Sequence, residues 1–230
     1  MYANTFKYTP KDIDCRYCSG YIKKLGCIAL TCPCLAERME AGMVGYEEAV
    51  AEILPAGSVL IPRVLRLTQA FPGTMWQDAQ HQLRMNAVRA MLGYSRKRDT
   101  PRFLAALYLL TANRDISMRT FNCFFRSGID FGFARRRDIS EHDYTLLMAA
   151  KSLYCGTNEV TQADLADRQI IDDEAFRLIV NALLIVRFGT DALKITQRRG
   201  QYKYRTARKS RRGTGAYTPS AEPFSPSETR

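Results

Sequence analysis

The sequence predicts a mostly α-helical protein in three parts: an N-terminal Cys-rich zinc module, a helical bundle-like domain with helix-turn-helix-like units, and a disordered basic tail. Three observations lead there. Five of the seven cysteines, Cys15, Cys18, Cys27, Cys32 and Cys34, fall within twenty residues. From residue 35 onward, apolar residues recur at spacings of three and four, with caps and breakers between the runs. Beyond residue 193 there are nine basic residues and no acid between Lys194 and Arg212, followed by a Pro-, Ser- and Thr-rich end. The expected boundaries are 1–34, 35–193 and 194–230.

Cys15-Arg16-Tyr17-Cys18 is a C-x-x-C knuckle, a spacing that lets two sulfurs reach one ion. Cys27, Cys32 and Cys34 offer the second pair. Four thiolates suit a single structural Zn²⁺, which asks only for a tetrahedral set. Five candidates compete for four places. Cys15 and Cys18 are the safer pair, and the short Cys32-Pro33-Cys34 spacing makes one of those two a spectator candidate. An iron–sulfur cluster takes the same ligands. Disulfides need an oxidising compartment, and the opening residues Met1 to Phe6 lack the basic-then-apolar pattern of a secretory signal. Cys123 and Cys155 lie in apolar stretches and read as ordinary buried thiols.

The elements follow in order. Tyr21 to Leu30 reads as a small hairpin around Gly26. A helix is expected over 35–54, weakened at Gly42 and Gly45 and ended by Pro55-Ala56-Gly57. A second covers 58–70, with Pro62 in its first turn. A third covers 75–93, with Ala79, Leu83, Val88 and Met91 near one side and Gly93 as C-cap. Thr100-Pro101 opens a fourth, since threonine caps and proline suits the first helical position. A shorter helix is expected over 116–126, and a loop or short strand over 131–137. Ser140, with Asp143 three residues on, opens a helix over 141–154. Helices over 161–168 and 172–188 complete the body.

Composition bounds the function. The chain is 46% apolar and 25% charged, as globular domains are. No apolar run reaches eighteen residues, so no membrane span is expected, and a cytoplasmic setting follows. The net charge of +11 is concentrated late in the chain. In the tail, Arg198, Arg199, Lys203, Arg205, Arg208, Lys209, Arg211 and Arg212 alternate with Tyr202 and Tyr204. Arginines neutralise phosphates and tyrosines stack on exposed bases, so this arm is the candidate contact with nucleic acid or a nucleoprotein. Arg96-Lys97-Arg98 and Arg135-Arg136-Arg137 are possible extensions of it.

Signs of catalysis are absent from the motifs. There is no phosphate-binding Gly-rich loop, no nucleophile elbow and no H-E-x-x-H. The two histidines, His81 and His142, read as surface residues. Asp172-Asp173-Glu174 offers carboxylates for a cation, but acids in a first helical turn need no such role. A non-enzymatic protein is expected, without a small-molecule substrate. Val160 to Ala166 looks like the middle helix of a bacterial helix-turn-helix, which would make 172–188 a DNA reader. The acids at its start would face phosphates, and its apolar residues read as core.

The Cys-rich start, Ala106 to Ala112, Ile139 to Tyr144 and Asp173 to Ile179 together resemble small accessory proteins of conjugative elements in Gram-positive gut bacteria. The resemblance covers roughly residues 5–195. It implies cargo of a mobile genetic element in a host that defends against such elements. The expected function is therefore an anti-CRISPR type of inhibitor, binding an RNA-guided defence nuclease or its nucleoprotein. The alternative is a helix-turn-helix regulator of mobile-element transcription or transfer.

Overall fold

Eight consecutive buried residues, Phe103 to Leu110, mark the helix around which the body is built. A helix apolar on every side must be surrounded, and this one is. In the computed structural model, which describes residues 6–29, 32–54 and 57–195, the chain is mostly helical. The helices are α1 (Leu35–Glu40), α2 (Tyr46–Ile53), α3 (Ile61–Gln69), α4 (His81–Leu92), α5 (Pro101–Leu110), α6 (Arg114–Thr120), α7 (Glu141–Cys155), α8 (Gln162–Ala166) and α9 (Asp173–Phe188). Two short antiparallel pairs accompany them: β1 (Tyr21–Ile22) with β2 (Gly26–Cys27), and β3 (Phe124–Phe125) with β4 (Gly128–Ile129). α5 packs against α7 and α9, which also touch each other, and α2 leans on α9. A 3₁₀ segment, Gly189–Lys194, returns to α1, and Ile195 is buried behind it. No helix among the described residues is long and apolar enough to cross a membrane.

The capping residues act as their chemistry dictates. Thr100, Asn113, Ser140, Thr161 and Asp172 each accept a backbone N–H of the following turn, satisfying donors that a helix start leaves free. At Thr161 the bond is reciprocal, because Asp164 accepts from the threonine N–H at 2.8 Å.

Three expected elements differ. The helix over 35–54 is two helices, because Gly42 adopts φ +65° and turns the chain between them. The helix over 75–93 begins only at His81, so its buried face is His81, Met85, Val88 and Leu92, while Leu83 and Met91 point outward. The helix expected over 116–126 ends at Thr120, and the chain then forms the β3–β4 hairpin. The N-terminal hairpin forms as β1 and β2, with Gly26 on the second strand rather than in the turn.

The core is pinned by a buried polar cluster. Asn181 of α9 donates to the Met75 carbonyl at 3.0 Å and to the Tyr108 hydroxyl at 3.1 Å, and accepts from the Tyr46 hydroxyl at 2.8 Å. Tyr108 in turn donates to the Met75 carbonyl. Burial pushes both tyrosine pKa values above the ordinary phenol range. One amide thus joins α2, α5, α9 and the 75–80 segment. Truncating it leaves the buried Tyr46 hydroxyl without its partner and takes one donor from the Met75 carbonyl. Asn181→Ala should cost about 2–3 kcal/mol, read as a lowered urea midpoint with unchanged slope.

His81 is not a surface residue: it is fully buried beneath Trp76 and Tyr108. Its flanking glutamines disguise the position, since only one face of α4 points inward. The ring nitrogens have assigned duties. Gln77 N–H donates to Nδ1 at 3.1 Å, so Nε2 carries the proton and donates to the Tyr108 carbonyl at 2.8 Å. Desolvation dominates, and the pKa falls from 6.5 to about 4. Because the folded value lies below the unfolded one, the contribution is complete above pH 6.5 and is lost as pH falls towards 4. The expected loss over that window is about 3 kcal/mol. Denaturation at a series of pH values should show it, with a shallower pH dependence in His81→Gln.

Candidate metal centre

The leader must hold a shape without a core. Among its described side chains from Phe6 to Ala29, none is buried. Tyr17, Ile22, Leu25 and Ile28 are all exposed. What order it has comes from backbone bonds and cysteine geometry. Asp14 caps a 3₁₀ turn, Cys15–Tyr17, by accepting from the Arg16 N–H at 3.0 Å, and its carboxylate also grips the Arg16 guanidinium. Cys18 N–H donates to the Cys15 carbonyl at 3.1 Å, and Tyr21 N–H donates to the Cys18 carbonyl at 3.0 Å. The Cys18 sulfur itself accepts from Gly20 N–H at 3.5 Å.

The hairpin then returns the chain. Tyr21 pairs with Cys27 and Ile22 with Gly26, and Ile28 N–H closes the loop onto the Gly20 carbonyl at 2.8 Å. Gly20 suits this crossing, because a Cβ there would sit 2.9 Å from the Ala29 methyl. The second half of the set sits at the start of α1. Cys34 is its N-cap residue, with its carbonyl accepting from Arg38 N–H at 3.0 Å, while Cys32 packs partly against the core of the body.

The Cys34 thiol is pushed up by desolvation, then by the negative charges of Cys18, Glu37, Cys32 and Cys15. Cys27 is not among those causes. One Glu37 carboxylate oxygen, Oε2, is buried without a hydrogen-bond partner. A divalent ion that displaced the thiol protons would offset the repulsion among the sulfurs and the orphaned carboxylate oxygen. The donor chemistry therefore fits zinc. The geometry is looser: among the described residues, no three His, Cys, Asp or Glu side chains converge as a metal would hold them.

A half-buried ion pair anchors this region to the body. Arg38 of α1 donates to both carboxylate oxygens of Glu48 on α2, with Nη2 at 2.9 Å from Oε2, and its Nη1 also lies 3.5 Å from the Cys32 sulfur. Burial disfavours the guanidinium charge, but Glu48 and then Cys32 outweigh it and keep Arg38 firmly charged. An arginine shared between a carboxylate and a ligand-candidate sulfur is a natural orienting partner for that sulfur. The spacing of the cysteines does not announce it.

The other sequence-predicted residues fall in different places. Arg198, Arg199, Tyr202, Lys203, Tyr204, Arg205, Arg208, Lys209, Arg211 and Arg212 lie outside the described residues. Arg98 is buried and occupied: it pairs with Asp99 and donates to the carbonyls of Leu92, Gly93 and Arg126, so it extends no basic surface. Arg135, Arg136 and Arg137 are exposed. Cys123 is buried and its pKa rises to about 11, whereas Cys155, expected to be buried, is exposed at the end of α7. His142 is half-buried and its Nδ1 lies 2.7 Å from Asp172 Oδ2.

The carboxylates of 172–174 have protein partners. Asp172 caps α9, Asp173 pairs with Arg63 and Arg168, and Glu174 accepts from the Gln77 amide. α9 buries nine residues and exposes mainly its two ends, so it offers no side face for a DNA groove. The α8–α9 turn is held by Arg63 of α3. That guanidinium donates to the carbonyls of Leu165, Asp167 and Ile171 and lies 4.3 Å over the Phe176 ring. A buried arginine filling this turn explains its helix-turn-helix-like spacing as packing. Comparison of the chain with protein-family models, with curated proteins and with solved structures finds no match.

Proposed function

We propose that this chain is a non-enzymatic, zinc-stapled binding protein, with Cys15, Cys18, Cys32 and Cys34 holding one structural Zn²⁺. The observation that carries this reading is a leader with five cysteines and no buried side chain among those described from Phe6 to Ala29. Apolar burial is worth little there, whereas a structural zinc site contributes on the order of 10 kcal/mol to a small module. Cys27, on β2, is the candidate this reading leaves out, so that Cys32 and Cys34 would both bind despite their short spacing. The metal would supply shape, not reactivity.

The binding role rests on the charge distribution and on the way the body uses its polar groups. Among the described residues, buried titratable groups such as His81, Arg63 and Asp143 make internal hydrogen bonds, although Arg63 Nε has no partner. The arm from Arg198 to Arg212 supplies salt-sensitive attraction to nucleic acid or to a nucleoprotein, and the helical body supplies the selective surface. With the resemblance to mobile-element accessory proteins, the specific reading is an inhibitor of an RNA-guided defence nuclease that binds the effector or its RNA-loaded particle.

Metal content should be about one zinc per reduced, purified chain. Cys15→Ser or Cys18→Ser should remove it, and Cys27→Ser should retain it; a Cys27→Ser chain without zinc contradicts the assignment. For the inhibitor reading, the full chain should block target cleavage by a susceptible RNA-guided nuclease at near-equal molar ratio. Undiminished cleavage across a panel of such effectors would end it. Removing residues 197–230 should weaken nucleic-acid binding and flatten its salt dependence, and equal binding at low salt by both forms would assign the arm no role.

A further inference from the structure

The β3–β4 hairpin and the turn after it expose aromatic rings that nothing in the fold requires outside. Side chains alternate across a strand, so Phe124 points inward and Phe125 outward, 7% and 40% exposed. The following 3₁₀ turn, Phe131–Phe133, divides in the same way: Phe131 is buried and Phe133 is 54% exposed. The Phe125 and Phe133 rings meet at 5.4 Å with a 58° tilt. With Tyr154 of α7 they line an open cavity of about 390 Å³, whose lining also includes Gly128 and Asp130. Gly128 has φ +153°, and a Cβ there would lie 2.2 Å from the Tyr154 hydroxyl oxygen. Glycine therefore lets that hydroxyl reach the cavity wall.

The polar groups in this cavity are incompletely used. Ile129 N–H donates to the Tyr154 hydroxyl oxygen at 3.3 Å. Asp130 accepts from Gly132 N–H at 2.9 Å through Oδ1, and among the described residues its Oδ2 has no hydrogen-bond partner. A cavity lined by three aromatic rings together with Ser127 and a carboxylate acceptor, Asp130, suits a flat heterocycle bearing an amino group. The surroundings are cationic. From Phe121 to Arg137 there are four arginines and one carboxylate. Among the described residues, neither Arg126 nor Arg135 takes part in an ion pair, and both are exposed.

We propose that this face binds single-stranded nucleic acid by taking one unstacked, amine-bearing base against Phe125 and Phe133, with Asp130 accepting from the exocyclic amine and Arg126 and Arg135 meeting the flanking phosphates. Rings stack on bases without regard to sequence, guanidinium groups neutralise the backbone, and the carboxylate adds a preference. A methylated ammonium group also favours rings beside a carboxylate, but the surrounding arginines repel a cationic peptide. A duplex keeps its bases stacked and offers this slot nothing. The site is on the helical body and depends on neither the metal nor the C-terminal arm.

The test is fluorescence anisotropy on the full chain at fixed salt, with labelled 12-mers of rC, rA, rU and dC and a 12-base-pair duplex. The rC and rA strands should bind more tightly than rU, and the single strands more tightly than the duplex. The dC arm shows whether the 2′-hydroxyl contributes. Phe125→Ala/Phe133→Ala should lose about tenfold or more in affinity for rC. Asp130→Asn should erase the preference of rC over rU, a ratio that an arm reading only phosphate does not move. Melting curves check that the variants fold, and Arg126→Ala/Arg135→Ala, altered only at exposed side chains, provides an independent arm with an expected loss for all single strands. Parental affinity in either folded double variant, equal binding of rC and rU, or preferential capture of a trimethyl-lysine peptide that Asp130→Asn abolishes would overturn the proposal.

Discussion

A leader that buries no described side chain between Phe6 and Ala29 cannot derive its shape from the hydrophobic effect. It has backbone turns at Cys15–Cys18, a two-residue strand pair and a hairpin closure at Gly20, and each of these is marginal alone. An isolated two-stranded pair does not persist in water without further support. The thiols of Cys15, Cys18, Cys32 and Cys34 come from both ends of this segment, so one ion held among them would convert several weak turns into one unit. Arg38, tied to Glu48 on α2 and close to the Cys32 sulfur, links that unit to the body.

The body solves the opposite problem. α5 is surrounded, and the difficulty there is fixing a single arrangement among apolar surfaces that would tolerate several. Directional groups supply the choice. Asn181 fixes the register of α9 against α5 and α2, His81 ties the start of α4 to the end of α5, and Arg63 ties α3 to the α8–α9 turn. Each is buried and bonded mainly to backbone groups or hydroxyls, which explains why these polar residues are structural. Their cost is acid sensitivity at His81.

Much of the fold was legible because its signals are local. Thr100-Pro101, Ser140 and Asp172 announce α5, α7 and α9, and Gly93, Gly156 and Gly189 follow α4, α7 and α9 as left-handed or positive-φ stops. Periodicity failed where its phase depended on the starting residue, as in α4, and where a glycine divided one pattern into two, as at Gly42. The β3–β4 hairpin was hidden because two-residue strands carry no alternation long enough to read. Arg63, Arg98 and His81 were illegible as core, because only the tertiary fold supplies the carbonyls that make burial of such groups tolerable. At the candidate metal centre the cysteines themselves stand out in the chain. The Arg38–Glu48 anchor beside Cys32 requires three-dimensional closure to be seen.

On the proposed reading a metal would fix the leader while the helical core fixes the body, and exposed arginines and rings would be left for partners. The most direct test is amide hydrogen exchange in the leader of the reduced full chain, loaded with zinc and then chelated. The account predicts protection at Gly20, Tyr21 and Ile28 in the loaded form, lost on chelation while α5, α7 and α9 stay protected. Equal protection of those three amides with and without the ion would contradict it.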